Sequence, residues 1–177
     1  MPFDHISLRR ATVDDAPALS IVGAGTTLET FAGLVDGQSL LQHCAKNHSV
    51  ASYIAYLAKP DVEAWLAVMA PGATPIGYIL VTPPDLPLDD ITPDDIELKR
   101  IYLFARFQGS GTGRLLMNKA VEVARDAGKK RLLLGVNAEN EQALSFYYRN
   151  GFTKAGVRKF QVGDTLCDDF ILARGVQ

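Results

Sequence analysis

One segment limits the possible folds more than any other. An apolar stretch from about Asp95 to Phe104 is followed by Gln108-Gly-Ser-Gly-Thr-Gly113, and then by a helix-like stretch from Ser110 to Ala127. A strand, a glycine turn and a helix in that order bring several backbone N–H groups and the positive end of a helix dipole to one point. Such a corner binds phosphate anions. Glycine lets the backbone come close to a ligand and adopt positive φ. The helix opening carries no acid, and Arg106 and Arg114 flank the turn.

Three phosphate-loop patterns compete for this hexapeptide. A Walker loop needs Lys-Ser/Thr after its last glycine, and Arg114 follows here. The dinucleotide pattern GxGxxG, read from Gly109, needs glycine at position 114 and an early strand, and it has neither. The pattern Q/R-x-x-G-x-G/A is met by Gln108, Gly111 and Gly113. A plain glycine-rich strand–helix corner is the remaining alternative.

The apolar phase in the strand before this loop changes. Ile96 and Leu98 are even, whereas Ile101 and Leu103 are odd. A strand of period two that changes phase needs an extra residue, which predicts a β-bulge near Lys99-Arg100. Upstream, Ile6 and Leu8 alternate as a first strand, and Thr12 with Asp14 and Asp15 reads as a helix start. Gly23, Gly25, Gly33 and Gly37 predict a loose stretch to about residue 38. A second helix is expected from Ser39 to Lys59, stopped by Pro60. Trp65–Met69 and Ile76–Val81 read as a hairpin around Pro71-Gly72. Downstream, Leu132–Val136 reads as a short buried strand. Asn140 caps a short helix that ends at Gly151, and two last strands surround Gly163-Asp164. The expected architecture is a mixed α/β sheet.

Composition fits one globular domain spanning residues 1–177, with 47% hydrophobic and 21% charged residues. No apolar run approaches the length that spans a bilayer, and the start, MPFDHISLRR, carries no leader pattern. Cys44 and Cys167 have no metal-ligand spacing, so no metal is expected, and two incidental thiols fit a cytoplasmic protein. His43 and His48 read as surface polar positions. The net charge of −2 hides an asymmetry. Residues 1–97 hold 13 acids and 4 Lys/Arg, whereas residues 98–177 hold 7 acids and 14 Lys/Arg. Either two differently charged ligands are bound, or two ordinary faces neutralise each other. With a pI near 5.9 and no aromatic-laced basic run, nucleic acid is not an expected partner.

Ile101-Tyr-Leu-Phe-Ala-Arg-Phe-Gln-Gly-Ser-Gly-Thr-Gly-Arg-Leu-Leu116 and Asn140-Glu-Gln-Ala-Leu-Ser-Phe-Tyr-Tyr-Arg-Asn-Gly-Phe152 together resemble the GNAT family of N-acetyltransferases. The second segment matches N-x-x-A-x-x-[FL]-Y-x-x-x-G-F throughout, and the strand order fits along nearly the whole chain. The resemblance implies the GNAT fold, a mostly antiparallel central sheet with a bulged fourth strand and flanking helices. It also implies acetyl-CoA as cosubstrate. Its pyrophosphate would lie on the amides of Gly109, Ser110, Gly111, Thr112, Gly113 and Arg114, beside Gln108, and its pantetheine arm along Ile101 to Leu103. Asn140 contacts the cofactor, caps the helix, or does both. One position departs from the family: Gly135 stands where some members carry a general-base glutamate in the fifth strand.

By the same resemblance Tyr147 is the acid that protonates the leaving thiolate, for which a phenol is suited. Glu97 is the candidate base or water-holder, with a plain surface acid as the alternative. A bulge amide near Leu103 is the expected oxyanion donor. The tail Phe160–Asp169 and Glu29-Thr-Phe31 resemble Pai-type polyamine acetyltransferases, which makes Glu29 and Asp36 candidate substrate acids. The expected reaction is therefore direct acetyl transfer to a small cationic amine such as a polyamine, in a ternary complex. A protein N-terminus or lysine acceptor is one alternative, and a non-catalytic acyl-CoA-binding regulator is another. No membrane partner is expected, and a homodimer is left open.

Overall fold

The computed structural model describes residues 5–176, so the first four residues of the start read as leader-free lie outside it. The elements, in chain order, are β1 (Ile6–Arg10), α1 (Ala16–Phe31), α2 (Gly37–Asn47), α3 (Val50–Leu57), β2 (Glu63–Met69), β3 (Thr74–Thr82), β4 (Asp95–Leu103), α4 (Thr112–Asp126), β5 (Arg131–Asn137), α5 (Glu141–Arg149), β6 (Thr153–Val162) and β7 (Thr165–Gly175). Seven strands form one sheet in the order β1-β2-β3-β4-β5-β7-β6. All neighbours are antiparallel except β4 and β5.

The bulge falls where the phase change places it. Leu80 faces Arg100 and Val81 faces Leu98, so Lys99 is the extra residue on β4. The bulge turns Leu98 and Ile101 to the same face, where both meet the core under α4 and α5. That core includes Leu116, Met117, Leu132, Leu134 and Phe152. Leu19, Val22, Tyr53, Leu66, Tyr78 and Leu80 form a second core on the opposite face, under α1 and α3. β4 pairs with β5 only through Asp95–Glu97 against Arg131–Leu133. Beyond Glu97 the two parallel strands diverge, and a gap opens in the middle of the sheet.

Two local expectations are corrected. The glycine-rich stretch is not loose at its start, because α1 runs unbroken through Gly23 and Gly25 to Phe31. These glycines are there for space. A Cβ on Gly23 would lie 2.4 Å from Tyr53 Oη and 2.5 Å from His48 Nδ1, and one on Gly25 would lie 2.8 Å from the Phe104 ring. The expected helix 39–59 is two helices. Ser49 Oγ accepts from Ser52 N–H at 3.1 Å and starts α3 afresh.

That break buries His48 and His43, which corrects their reading as surface positions. The His48 ring joins Thr27 Oγ1 through Nε2 (3.0 Å) and Tyr53 Oη through Nδ1 (2.8 Å), and Tyr53 in turn bonds Tyr78. Burial pushes His48 down to about 3, with Arg100 adding to the effect. The unfolded chain takes up this proton near the ordinary 6.5, while the folded chain refuses it until far lower pH. Stability therefore falls as pH drops through that window. Between pH 7 and pH 4.5 the expected loss is about 2–3 kcal/mol, and His48→Gln should flatten the slope. Urea unfolding at the two pH values checks this. The carboxyls held below their usual range, Asp15, Asp90 and Asp95 among them, titrate beneath this window.

The charge asymmetry largely cancels in space. Arg131 pairs with Asp90 and Asp95 at 2.7 Å each, Lys130 with Asp94 at 2.6 Å, and Lys99 with Asp85 at 3.7 Å. The acidic stretch 85–97 and the bases at 129–131 thus clamp the closed end of the β4–β5 pair. Asp90, Asp94 and Asp95 are thus partners of Lys130 and Arg131.

Candidate active site

The glycine loop is shaped for an anion. Gly109 and Gly111 have φ of 75° and 89°, and a Cβ on either would meet nothing within 4 Å. Gly111 caps α4, whose first turn holds no acid. The first N–H groups of a helix lack intrahelical acceptors, so those of the α4 start point at whatever lies above the loop. The loop holds itself in shape. Ser110 Oγ shares a hydrogen bond with Thr112 Oγ1 at 2.8 Å and donates to Phe107 O. Gln108 ties three elements together: Nε2 donates to Leu103 O at 3.3 Å, and Oε1 accepts from Gln142 on α5 at 2.8 Å.

Gly113 brings α5 against this loop. Its ideal Cβ would stand 3.6 Å from the Phe146 ring, an ordinary contact, so α5 borders the start of α4 there. Beside the contact lies a groove of about 550 Å³ lined by Arg114, Asn118, Phe146, Arg149, Asn150 and Arg174. Three guanidinium groups make it electropositive and suited to phosphate. The sequence alone does not mark Arg149 or Arg174 as anion ligands. Arg149 lies within the matched 140–152 motif. Arg174 joins only because β7 returns beside α5, where its Nη1 donates to Asn150 O at 2.7 Å.

Next along α5 is Tyr147, buried among Phe146 (5.5 Å between ring centroids) and Phe152 (5.8 Å). Burial, reinforced by nearby Tyr102, raises its phenol above the ordinary value. It therefore stays protonated through neutral and mildly alkaline pH. Tyr148, its neighbour, is 47% exposed and faces away from this core. Ile101 and Leu103 are half-buried on β4 beyond its pairing with β5, at the gap.

Asn140 Oδ1 accepts from Ala143 N–H at 3.0 Å, which makes it the N-cap of α5. Glu97 is not a surface acid. It is 2% exposed, accepts from Asp85 N–H at 2.7 Å, and lies 3.7 Å from Lys99 Nζ. By strand alternation it stands on the sheet face away from α4, at the mouth of the gap. Glu29 Oε2 accepts from Ala105 N–H at 3.0 Å and so fixes α1 to the corner that follows β4. Asp36 caps α2, accepting from Gln38 N–H at 2.9 Å. The fold thus brings the glycine loop, Leu103, Gln108 and Tyr147 together. Glu29 reaches the corner after β4, Glu97 lies on β4 itself, and Asp36 is engaged as the cap of α2.

The sequence and the fold have counterparts in known proteins. Residues 35–152 match the family model described as acetyltransferase (GNAT) family. An uncharacterized N-acetyltransferase of Mycobacterium tuberculosis is 31% identical over 160 residues, covering 90% of this chain and 97% of that protein. A spermidine N(1)-acetyltransferase of Thermoplasma acidophilum is 24% identical over 173 residues, covering 96% of each. Among solved structures, the PaiA N-acetyltransferase of Thermoplasma acidophilum in complex with coenzyme A superposes with a TM-score of 0.76 at 22% identity, covering 96% of this chain and 98% of that one. That structural likeness shows the fold. A divergent parallel pair, a glycine-capped helix at its mouth and a buried tyrosine on the following helix thus coincide with a family match over two-thirds of the sequence, and the chain belongs to the acetyltransferase (GNAT) family.

Proposed function

We propose that this protein transfers the acetyl group of acetyl-CoA to a small cationic amine, a polyamine such as spermidine. The observation that carries the reading is the left-handed glycine cap that opens the N-terminus of α4 after β4, the strand that has parted from β5. That cap, the parted β4 edge and a phenol buried on α5 support an anion cradle and an acid serving one reaction. The residues fit a CoA molecule: left-handed glycines and helix N–H groups for the pyrophosphate, the arginine groove for further phosphate, and the free edge of β4 for an extended arm. When bound, acetyl-CoA supplies a thioester carbonyl and a thiolate leaving group.

The protein's own residues supply the rest. Glu97 accepts the proton of the acceptor ammonium, directly or through water, because a protonated amine cannot attack. A backbone N–H near Leu103 donates to the developing oxyanion. Tyr147 Oη donates its proton to the departing sulfur, and the proton shed by the acetylated nitrogen restores the phenol. Asn140 lends its side-chain nitrogen to the cofactor while its oxygen caps α5. Glu29 and Asp36 draw the cationic acceptor through their field. The Thermoplasma relative supports a polyamine acceptor. The setting is read as cytoplasmic from two cysteines that lie far apart in the sequence without ligand-like spacing.

The test is free-thiol release from acetyl-CoA with spermidine and a panel of small amines. Turnover on spermidine that exceeds turnover on lysine peptides is the expected result. CoA binding with no thiol release on any amine would overturn the reading in favour of a regulatory role.

A further inference from the structure

Gly135 occupies a charged place. It lies on β5 two residues past Leu133, where β5 has left β4, and on the sheet face away from α4 and α5. A Cβ there would lie 2.4 Å from Nη2 and 2.6 Å from Cζ of Arg158, which reaches over from β6. The guanidinium lies on the bare Cα, so a fifth-strand carboxylate is sterically excluded while Arg158 stays. Arg158 is held there. Its Nε and Nη2 donate to Asp169 Oδ2 at 3.1 and 3.0 Å, and the Phe160 ring backs it at 4.7 Å. His43 from α2 stands edge-on to Phe160 at 5.9 Å.

Asp169 faces Asn137 across β5–β7 and so shares this face with Gly135. It is 5% exposed, and both contacts from Arg158 fall on Oδ2. Burial holds its carboxyl above the ordinary range although Arg158 pulls it down, with Asp168 adding to the rise. Asp168 itself is paired with Lys159. A buried carboxylate whose desolvation Arg158 does not offset gains from a further cationic donor. Glu97 stands on the same face at the other side of the gap.

We infer that Asp169, positioned by Arg158, receives an ammonium group of the acceptor and so selects for amines that carry more than one positive charge. The inference rests on the amine reading above and names the residue that would set acceptor choice. A polyamine can place one nitrogen toward Glu97 and another at Asp169 Oδ1, whereas a monoamine can satisfy only one of them. Arg158 prevents Asp169 from folding back on Gly135 and keeps Oδ1 turned to the acceptor.

The test compares Asp169→Asn with the unaltered protein on spermidine and on hexylamine, with coenzyme A affinity measured as the check on folding. KM for spermidine should rise between about tenfold and a hundredfold, KM for hexylamine by less than about twofold, and CoA affinity should hold. Asp169→Glu should recover part of the spermidine affinity, and Arg158→Gln should raise KM for spermidine more than it lowers kcat. An equal loss on both amines, or a spermidine KM within about twofold of the unaltered protein, would overturn the inference. If the unaltered protein acetylates no amine, the functional reading fails by itself. Calorimetric titration of spermidine into the CoA-saturated protein then decides the site. Binding lost in Asp169→Asn sustains it, and binding that is absent or unchanged refutes it.

Discussion

Tyr147→Phe should lower the rate of acetyl transfer by about 10²–10⁴-fold, the range a positioned acid contributes. The substitution removes one oxygen and keeps the ring, so the contacts with Phe146 and Phe152 persist and the fold should be intact. The loss should appear in kcat, with KM for acetyl-CoA little changed, because the phenol acts on the leaving sulfur rather than on the bound cofactor. Burial and Tyr102 hold the phenol above its ordinary value. Its proton is therefore available across the whole working range, and the activity of the unaltered protein should not decline on its account below about pH 10. Tyr148→Phe is the control: that side chain is 47% exposed, and its loss should leave the rate unaltered. A Tyr147→Phe protein that binds CoA and works within about threefold of the unaltered enzyme would remove the acid role while leaving the family intact.

The second large effect concerns stability. Gly23→Ala in the middle of α1 should destabilise the protein by about 1–3 kcal/mol, against helix propensity, which favours alanine by about 1 kcal/mol. The sign is decided by what the added methyl meets. Tyr53 Oη at 2.4 Å, His48 Nδ1 at 2.5 Å and Tyr78 Oη at 2.9 Å are members of one buried hydrogen-bonded chain. Moving any of them strands another, and buried polar groups without partners are costly. For a chain of this size each kcal/mol should lower Tm by about 2–4 °C. Gly37→Ala provides the contrast. Nothing lies within 4 Å of its ideal Cβ, and a stabilisation of about 0.4–1 kcal/mol is expected there. Thermal unfolding of the two variants side by side gives opposite shifts if space is the reason for Gly23. Equal shifts would discard that explanation.

Some of this molecule is written in short stretches of chain. The bulge at Lys99 follows from a phase change within eight residues, because a strand's two faces alternate strictly. The loop at 108–113 and the cap at Asn140 depend on backbone groups a few residues away, so their signals are local and survive in one dimension. Tyr147 belongs with them only through the surrounding motif, since nothing about a lone tyrosine on an amphipathic helix separates a core ring from a proton donor.

Other features depend on partners that are distant in sequence. Gly23 reads as a helix breaker until Tyr53, His48 and Tyr78 arrive beside it, and their positions come from α3, the α2–α3 break and β3. His43 and His48 read as polar surface until the break between α2 and α3 buries them. The charge asymmetry fits either two charged ligands or two faces that neutralise each other, and the parallel pairing of β4 with β5 lays Asp90, Asp94 and Asp95 on Lys130 and Arg131. Gly135 reads as a missing carboxylate, and the fold shows that the Arg158 guanidinium, held by Asp169, occupies that space. Turn chemistry, capping and strand phase are thus determined by neighbours along the chain. Which side chain fills a gap, which charge meets which, and which glycine makes room are decided only when the sheet order 1-2-3-4-5-7-6 closes, because those contacts are made between strands and helices that are far apart in sequence.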